Sequence, residues 1–217
     1  MKFLLALTLL IGAASAAEVS APDATCSLTF VEARSNAVDR AKELLRGETR
    51  TLHGSAPAVR TELLQELARP ERFLMVEEST GAEVPPAHSL TTLDAVLTAP
   101  PDRRAHRALV STPTARAAGA GALYVATHID IGPPNLARGE ALLQTLARAG
   151  RASAGNVRFD VWRQSDRPNH FNLVAVWRTR RDFDVFTASA TALDFRSSVA
   201  PLLGSLYDDR LYRVVGE

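Results

Sequence analysis

His128 and Asp130 lie two residues apart in an apolar stretch, Leu123 to Ile131, that reads as a β-strand. Side chains two apart on a strand share a face, so this spacing sets an imidazole beside a carboxylate. A neighbouring carboxylate raises the proton affinity of a histidine, which suits a general base. The same pair also suits a polar strand end ahead of the Gly132-Pro133 turn, and the spacing allows both readings. Trp177 offers a flat ring whose N–H wants an acceptor; it can wall an aromatic-substrate pocket or simply fill a core. Asn169 and His170 sit in or beside the turn Asp166-Arg167-Pro168-Asn169 and are expected at the surface. Asp102, Arg103, Arg104 and His106 form a charged run that reads as a solvated turn.

Several chemistries lack their usual residues. No set of His, Cys and carboxylates has metal-ligand spacing, so no metal site is expected. No GxGxxG follows a strand and no GxxxxGK[ST] occurs, which argues against a dinucleotide or P-loop site. No GxSxG elbow is present either. Any catalysis would have to run without a conventional cofactor.

The elements that would position these residues come in two sets. Shifted by 98 positions, residues 44–73 fall on 142–171, and ten of the 30 positions are identical, Arg60/Arg158 and Phe73/Phe171 among them. Chance would give about two. A period of 98 exceeds any solenoid unit and matches a small domain. The Gly/Ala-rich stretch Ser111 to Gly121 separates the copies, so the expected domains are 26–112 and 121–216, with a linker over 113–120.

In the second copy a strand over 123–131 leads into a helix opened by Pro133-Pro134 and carried by Leu136, Leu142, Leu143 and Leu146. Strands follow around Val157–Val161 and Phe171–Trp177, then a helical stretch over 180–203 with Phe183, Phe186 and Phe195 as anchors, then a strand from Tyr207. The first copy repeats the order: a strand over 27–33, a helix over 37–51, a hairpin over 59–77, a helix from Ala87 to Leu97 and a short strand, His106–Ser111. The order β-α-β-β-α-β predicts the α+β ferredoxin-like plan, twice. Val174 and Val176 on one face and Phe171, Leu173 and Trp177 on the other make the sheet apolar on both sides. The two sheets are therefore expected to pack on each other, with helices outside.

Residues 1–16 read as a secretory signal: Lys2, an apolar core from Phe3 to Ile11, and Ala14-Ser15-Ala16 as cleavage site. The run is too short to span a membrane, and no later stretch reads as a span. An exported protein, periplasmic or secreted, is expected. Loss of Lys2 leaves acidic and basic residues balanced, which argues against nucleic acid as a partner. Cys26 is the only cysteine, so no internal disulfide can form.

Gly155-Asn156-Val157-Arg158-Phe159-Asp160-Val161, Arg167-Pro168-Asn169-His170-Phe171, Leu173-Val174-Ala175-Val176-Trp177 and Ser205–Tyr212 together resemble the antibiotic biosynthesis monooxygenase family, which includes quinol monooxygenases. The resemblance covers about 120–215 and, more faintly, 26–112. It implies a dimeric α+β barrel, here an intramolecular pseudo-dimer, with further self-association left open. It also implies oxidation of a small aromatic or quinol by O₂ without metal or flavin. The family's strand glutamate falls on Ala175 in the second copy and is kept as Glu77 in the first. Its tryptophan is Trp177 in the second copy and Ser79 in the first. Its helix histidine falls on Phe186, and the same count in the first copy reaches His88, beside Pro85-Pro86 at an expected helix start. The spacing of His128 and Asp130, with the resemblance at Trp177, His88 and Glu77, gives the candidate catalytic residues, and Phe171, Phe186 and Tyr207 are the candidate substrate walls. The second copy is expected to hold the working pocket, because Phe30 stands where His128 would be. The competing reading is a non-catalytic binder of a small apolar ligand, or a scaffold, in which Phe183, Phe186 and Phe195 fill the space between helices and sheet.

Overall fold

A computed structural model of the chain describes residues 23–55, 59–87, 89–111, 118–119 and 121–216. Residues 1–16, His88 and most of the 113–120 stretch lie outside the described residues. The first unit comprises β1 (Thr25–Glu32), α1 (Val38–Ser55), β2 (Val59–Glu66), β3 (Arg72–Ser79) and β4 (Asp102–Val110). The second comprises β5 (Leu123–Asp130), α2 (Leu136–Ala152), β6 (Asn156–Gln164), β7 (His170–Trp177), α3 (Arg180–Thr187), α4 (Ala190–Val199) and β8 (Asp208–Val214).

The strands form one closed antiparallel barrel in the order β1-β3-β2-β8-β5-β7-β6-β4. Two seams join the units: β2 meets β8 from Leu64↔Val214 to Glu66↔Tyr212, and β4 meets β6 from His106↔Gln164 to Val110↔Val161. The chain is α+β, two ferredoxin-like units closed into an intramolecular dimeric barrel. The period-two pattern decides which side chains go where. Leu28, Leu74, Val174, Val176, Trp162 and Tyr212 fill the barrel interior between the sheets. Leu173, Ala175, Trp177 and Phe159 face outward under α2, α3 and α4, while Phe73, Met75 and Leu63 face outward under α1.

Two expectations for the first unit are corrected. The helix expected over Ala87–Leu97 is absent; a single 3₁₀ turn, Thr91–Leu93, stands there. Thr91, Thr92, Val96 and Thr98 are β-branched, and only Leu93 and Leu97 find burial, too little to offset the cost of starting a helix. The charged run at 102–106 is part of β4, paired with β1 along Thr25–Phe30, and His106 is fully buried. In the second unit the helical stretch breaks at Ala188-Ser189; Ser189 caps α4 by accepting from Ala192 N at 3.3 Å, and Thr179 caps α3 from Asp182 N at 3.1 Å.

Two glycines are fixed by space. Gly155 turns α2 into β6 with φ +78°, in the left-handed region. Gly150 lets α2 approach β6 so closely that a Cβ there would lie 2.2 Å from Phe159 Cδ2.

One end of the barrel is closed by ions. Arg158, only 1% exposed, reaches Glu62 at 2.9 Å and Glu78 at 3.1 Å in the first unit and Asp160 at 3.4 Å on its own strand. Arg60 pairs with Glu78, and the Tyr124 hydroxyl donates to Glu62 at 3.0 Å. Burial, reinforced by Asp160 and Glu62 and opposed by Arg60, pushes the Glu78 carboxyl up to about 8. Arg158→Met should lower unfolding free energy in urea by about 3–5 kcal/mol, because it strands carboxylates away from water; a loss below about 1 kcal/mol would refute this role. The pH dependence follows from Glu78. The folded state keeps a proton that the unfolded carboxyl, near 4.5, releases, so this group makes unfolding free energy fall as pH rises from about 4.5 to about 8. Glu78→Gln should flatten that slope in a stability–pH titration.

Candidate functional site

The outward face of the second sheet carries the aromatic set. Trp177 is fully buried at the end of β7, and its indole Nε1 has no hydrogen-bond partner. Phe186 of α3 lies over it with ring centroids 4.9 Å apart and planes 30° apart, and Phe183 packs at 6.3 Å. Phe159 meets Phe186 edge-on at 5.8 Å. A cavity of about 30 Å³ remains between these rings, Phe195, Thr127, Tyr207 and Asp209. That is room for one or two water-sized molecules, far below an aromatic ligand's needs.

Polar groups border this cavity at one side. Thr127 Oγ1 donates to Asp209 Oδ1 at 2.5 Å, and the Arg196 guanidinium lies 3.7 Å from Asp209 Oδ2. Burial raises the Asp209 carboxyl above its ordinary value, against the hydrogen bonds from Thr127 and Tyr207 and the charge of Arg196. Burial, with the charge of Asp209, also raises the Tyr207 phenol. The cavity lining thus includes a buried carboxylate of raised basicity and, at the Trp177 end, a residue whose indole N–H is unanswered; a carboxylate can take a proton and an N–H can hold an oxygen.

The inward face of the same sheet carries the imidazoles. His128 Nε2 lies 3.3 Å from His170 Nδ1, and His170 Nε2 lies 3.6 Å from Asp130 Oδ1. Asn169 Nδ2 donates to Asp130 Oδ1 at 2.9 Å. Asn172 Nδ2 lies 2.9 Å from His106 Nε2. Burial pushes His106 down to about 4, and burial followed by the charges of Arg104 and His170 lowers His128. Of these, His128, His170, Asn172 and Arg104 line a cavity of about 1140 Å³ that opens to solvent at the barrel end away from Arg158.

The structure thus separates the sequence candidates. His128 and Asp130 share a face as the spacing requires, but Asp130 meets His170, which was expected on the surface. Trp177 lies on the opposite face of the sheet from His128. Phe186 and Tyr207 line the small cavity, and Phe171 packs in the same core beneath Arg163 without lining either cavity. Glu77 is buried on the outward face of β3, in the other unit. His88 lies outside the described residues. Sequence reasoning missed Asp209, Arg196, Thr127 and Asn172, and it read Arg104 and His106 as part of a solvated turn. One signal was available: Asp102-x-Arg104 and Asp208-x-Arg210 repeat, and in both the arginine Nε donates back to the aspartate, at 3.0 and 2.7 Å. Among the described residues no three His, Cys, Asp or Glu could hold a metal, and no helix is long and apolar enough to cross a membrane.

The family model described as antibiotic biosynthesis monooxygenase matches residues 122–198, from β5 through Trp177 to α4. No curated protein matches the sequence. Among solved structures, a candidate monooxygenase from Fusobacterium nucleatum aligns with TM-score 0.77 and 9% identity, over 89% of this chain and 93% of that one. One from Lactobacillus acidophilus aligns with TM-score 0.70 and 9% identity, over 88% and 94%. An anthrone oxidase-like protein aligns with TM-score 0.65 and 11% identity, over 91% and 94%. At these identities the likeness establishes the fold across both units.

The packing of the small cavity is testable. Phe186→Ala should cost about 3–5 kcal/mol of stability. A small apolar aromatic such as benzene should restore part of that loss in a thermal melt, by binding the enlarged space. No rescue would mean that α3 collapses inward and the cavity cannot accept a ring.

Proposed function

We propose that the second unit is a cofactor-independent oxygenase for a small electron-rich aromatic, a phenol or quinol, working between its sheet and helices α2–α4. The observation that carries this reading is the indole N–H of Trp177, buried without a partner, on a residue that lines one small cavity together with the raised carboxyl of Asp209. A buried donor left unmade costs free energy, and a bound ligand oxygen would recover it. The family match over 122–198 supports the same half of the chain.

In this reading the ring enters by displacing Phe186 and the α3–α4 corner, which hinges at Ala188-Ser189. Trp177 holds one ring oxygen, and Asp209 takes the phenolic proton. The electron-rich anion then reduces O₂. For a phenol the balance is phenol plus O₂ giving quinone plus water: one oxygen atom enters the ring and the other leaves as water. The protein supplies orientation, a dry site and a proton acceptor. Residues 1–16 support export, so the substrate would be met outside the cytoplasm.

Oxygen uptake by the purified protein over a panel of phenols and hydroquinones, with metals chelated, tests this. Uptake above the uncatalysed rate is expected, and Trp177→Phe and Asp209→Asn should each slow turnover by about 100-fold or more while the fold survives. The small size of the cavity, about 30 Å³, favours a second reading, a non-catalytic scaffold. No uptake with any compound would establish that reading over the first.

A further inference from the structure

We propose that the open end of the barrel binds a small dicarboxylate, held between Arg104 of the first unit and Arg210 of the second. This site is separate from the pocket beneath the helices and does not rest on the oxygenase reading. Both arginines line the cavity of about 1140 Å³, ample for a small organic dianion. Strands β4, which carries Arg104, and β8, which carries Arg210, stand four places apart in the ring of eight. They therefore lie on opposite sides of the barrel.

The two copies have kept one feature here and changed the rest. Along the inward faces the 98-residue shift sets Phe30, Arg72 and Leu74 against His128, His170 and Asn172, each changed in chemical type. Asp102-x-Arg104 and Asp208-x-Arg210 are the same in both. In each, the arginine Nε donates to the aspartate Oδ2, at 3.0 and 2.7 Å. Stability does not account for this retention. The two aspartate side chains are 53% and 50% exposed, and ion pairs so open to water add little to a fold.

What the pairing does is orient. An aspartate that takes Nε fixes the guanidinium plane and leaves the terminal nitrogens to donate elsewhere. Each arginine also has a second anchor. The Arg104 guanidinium lies over the Phe30 ring, 4.9 Å from its centroid. Arg210 hydrogen-bonds to the hydroxyl of Tyr212, which is almost wholly buried. A planar fork matches a carboxylate, and two forks on opposite walls match two. Anchoring before the ligand arrives lowers the ordering cost of binding. The rest of the lining adds positive charge. Glu32 is paired with Arg72 at 3.3 Å, and Asp166 accepts from Gln164 at 2.8 Å. Arg167 and Arg103, which donates to Pro85 O, also line the cavity and have no carboxylate partner among the described residues. Five arginines thus face four carboxylates. His128 and His170 are turned toward each other, at 3.3 Å, and take no part.

Calorimetric titration of succinate into the purified protein near neutral pH tests this, with acetate and chloride at matched ionic strength as controls. Saturable binding of one succinate per chain is expected. Acetate, with a single carboxylate, should bind at least about tenfold more weakly. Arg104→Gln and Arg210→Gln should each weaken succinate binding at least about tenfold. Arg104→Lys keeps the charge but loses the planar fork, and should weaken it too. Arg148→Gln removes an exposed charge on α2, away from the cavity, and should change nothing. The side chains of Arg104 and Arg210 are 31% and 39% exposed, so their variants should keep the parent's melting temperature without succinate. If one fails to fold, the other reads the same site from the opposite wall. Succinate binding no tighter than acetate, or binding that survives both glutamine substitutions, would overturn the proposal. Oxygen uptake is read separately, so neither result bears on the oxygenase reading.

Discussion

Arg158 is a cation with almost no access to water, and three carboxylates from both units surround it. Placing so many charges between two sheets is costly unless each finds a partner. The partners come from opposite halves of the chain, so the arrangement is satisfied only when β2 and β3 of one unit face β6 of the other. Apolar residues such as Leu74 and Val174 would tolerate a shifted docking; this cluster would not. It also plugs one end of the barrel. Between this cluster and the cavity at the other end, Leu28, Leu74, Val174 and Trp162 fill the interior.

The second sheet shows how much chemistry a period of two can separate. Thr127 and His128 are neighbours on β5, yet Thr127 hydrogen-bonds to Asp209 under the helices while His128 meets His170 inside the barrel. The outward environment is dry, aromatic and nearly full. The inward one is polar and open. Both lower the cost of a neutral acid or base, through burial, but only the inward face leaves room for a ligand without rearrangement.

How much of this was legible in the sequence divides along physical lines. The repeat, the order of elements and the two apolar faces of β7 depend on local pattern, and these predicted two packed sheets; the closed barrel was implied only by the family resemblance. The shared face of His128 and Asp130 follows from two-residue spacing. The helix expected at 87–97 failed because a few apolar residues at helical spacing do not outweigh β-branching and scant burial. The charged run at 102–106 was misread for a different reason. Charges read as solvated until a barrel is known to close around them, and closure is a long-range property. Asp209 and His170 gain their meaning from cross-strand partners 82 and 42 residues away. No window of sequence contains such a pair. The Arg60/Arg158 identity was visible, but its role required the seam.

The two cavities share a wall. Tyr207 lines both, at the corner where the chain leaves the helices and enters β8. The backbone ties this corner to the strand that carries the imidazole: Gly132 N donates to Leu202 O at 2.8 Å, and Gly204 N donates to Asp130 O at 2.8 Å. Gly204 has no room for a side chain, since a Cβ would lie 2.7 Å from Asp130 Oδ2. The carboxylate behind His170 and the phenol beside Asp209 are thus anchored to one short segment. A change at Tyr207 or Gly204 must disturb both environments at once, so roles there cannot be apportioned by substitution. Trp177 and His128, on opposite faces and without a shared contact, are where the two chemistries can be told apart.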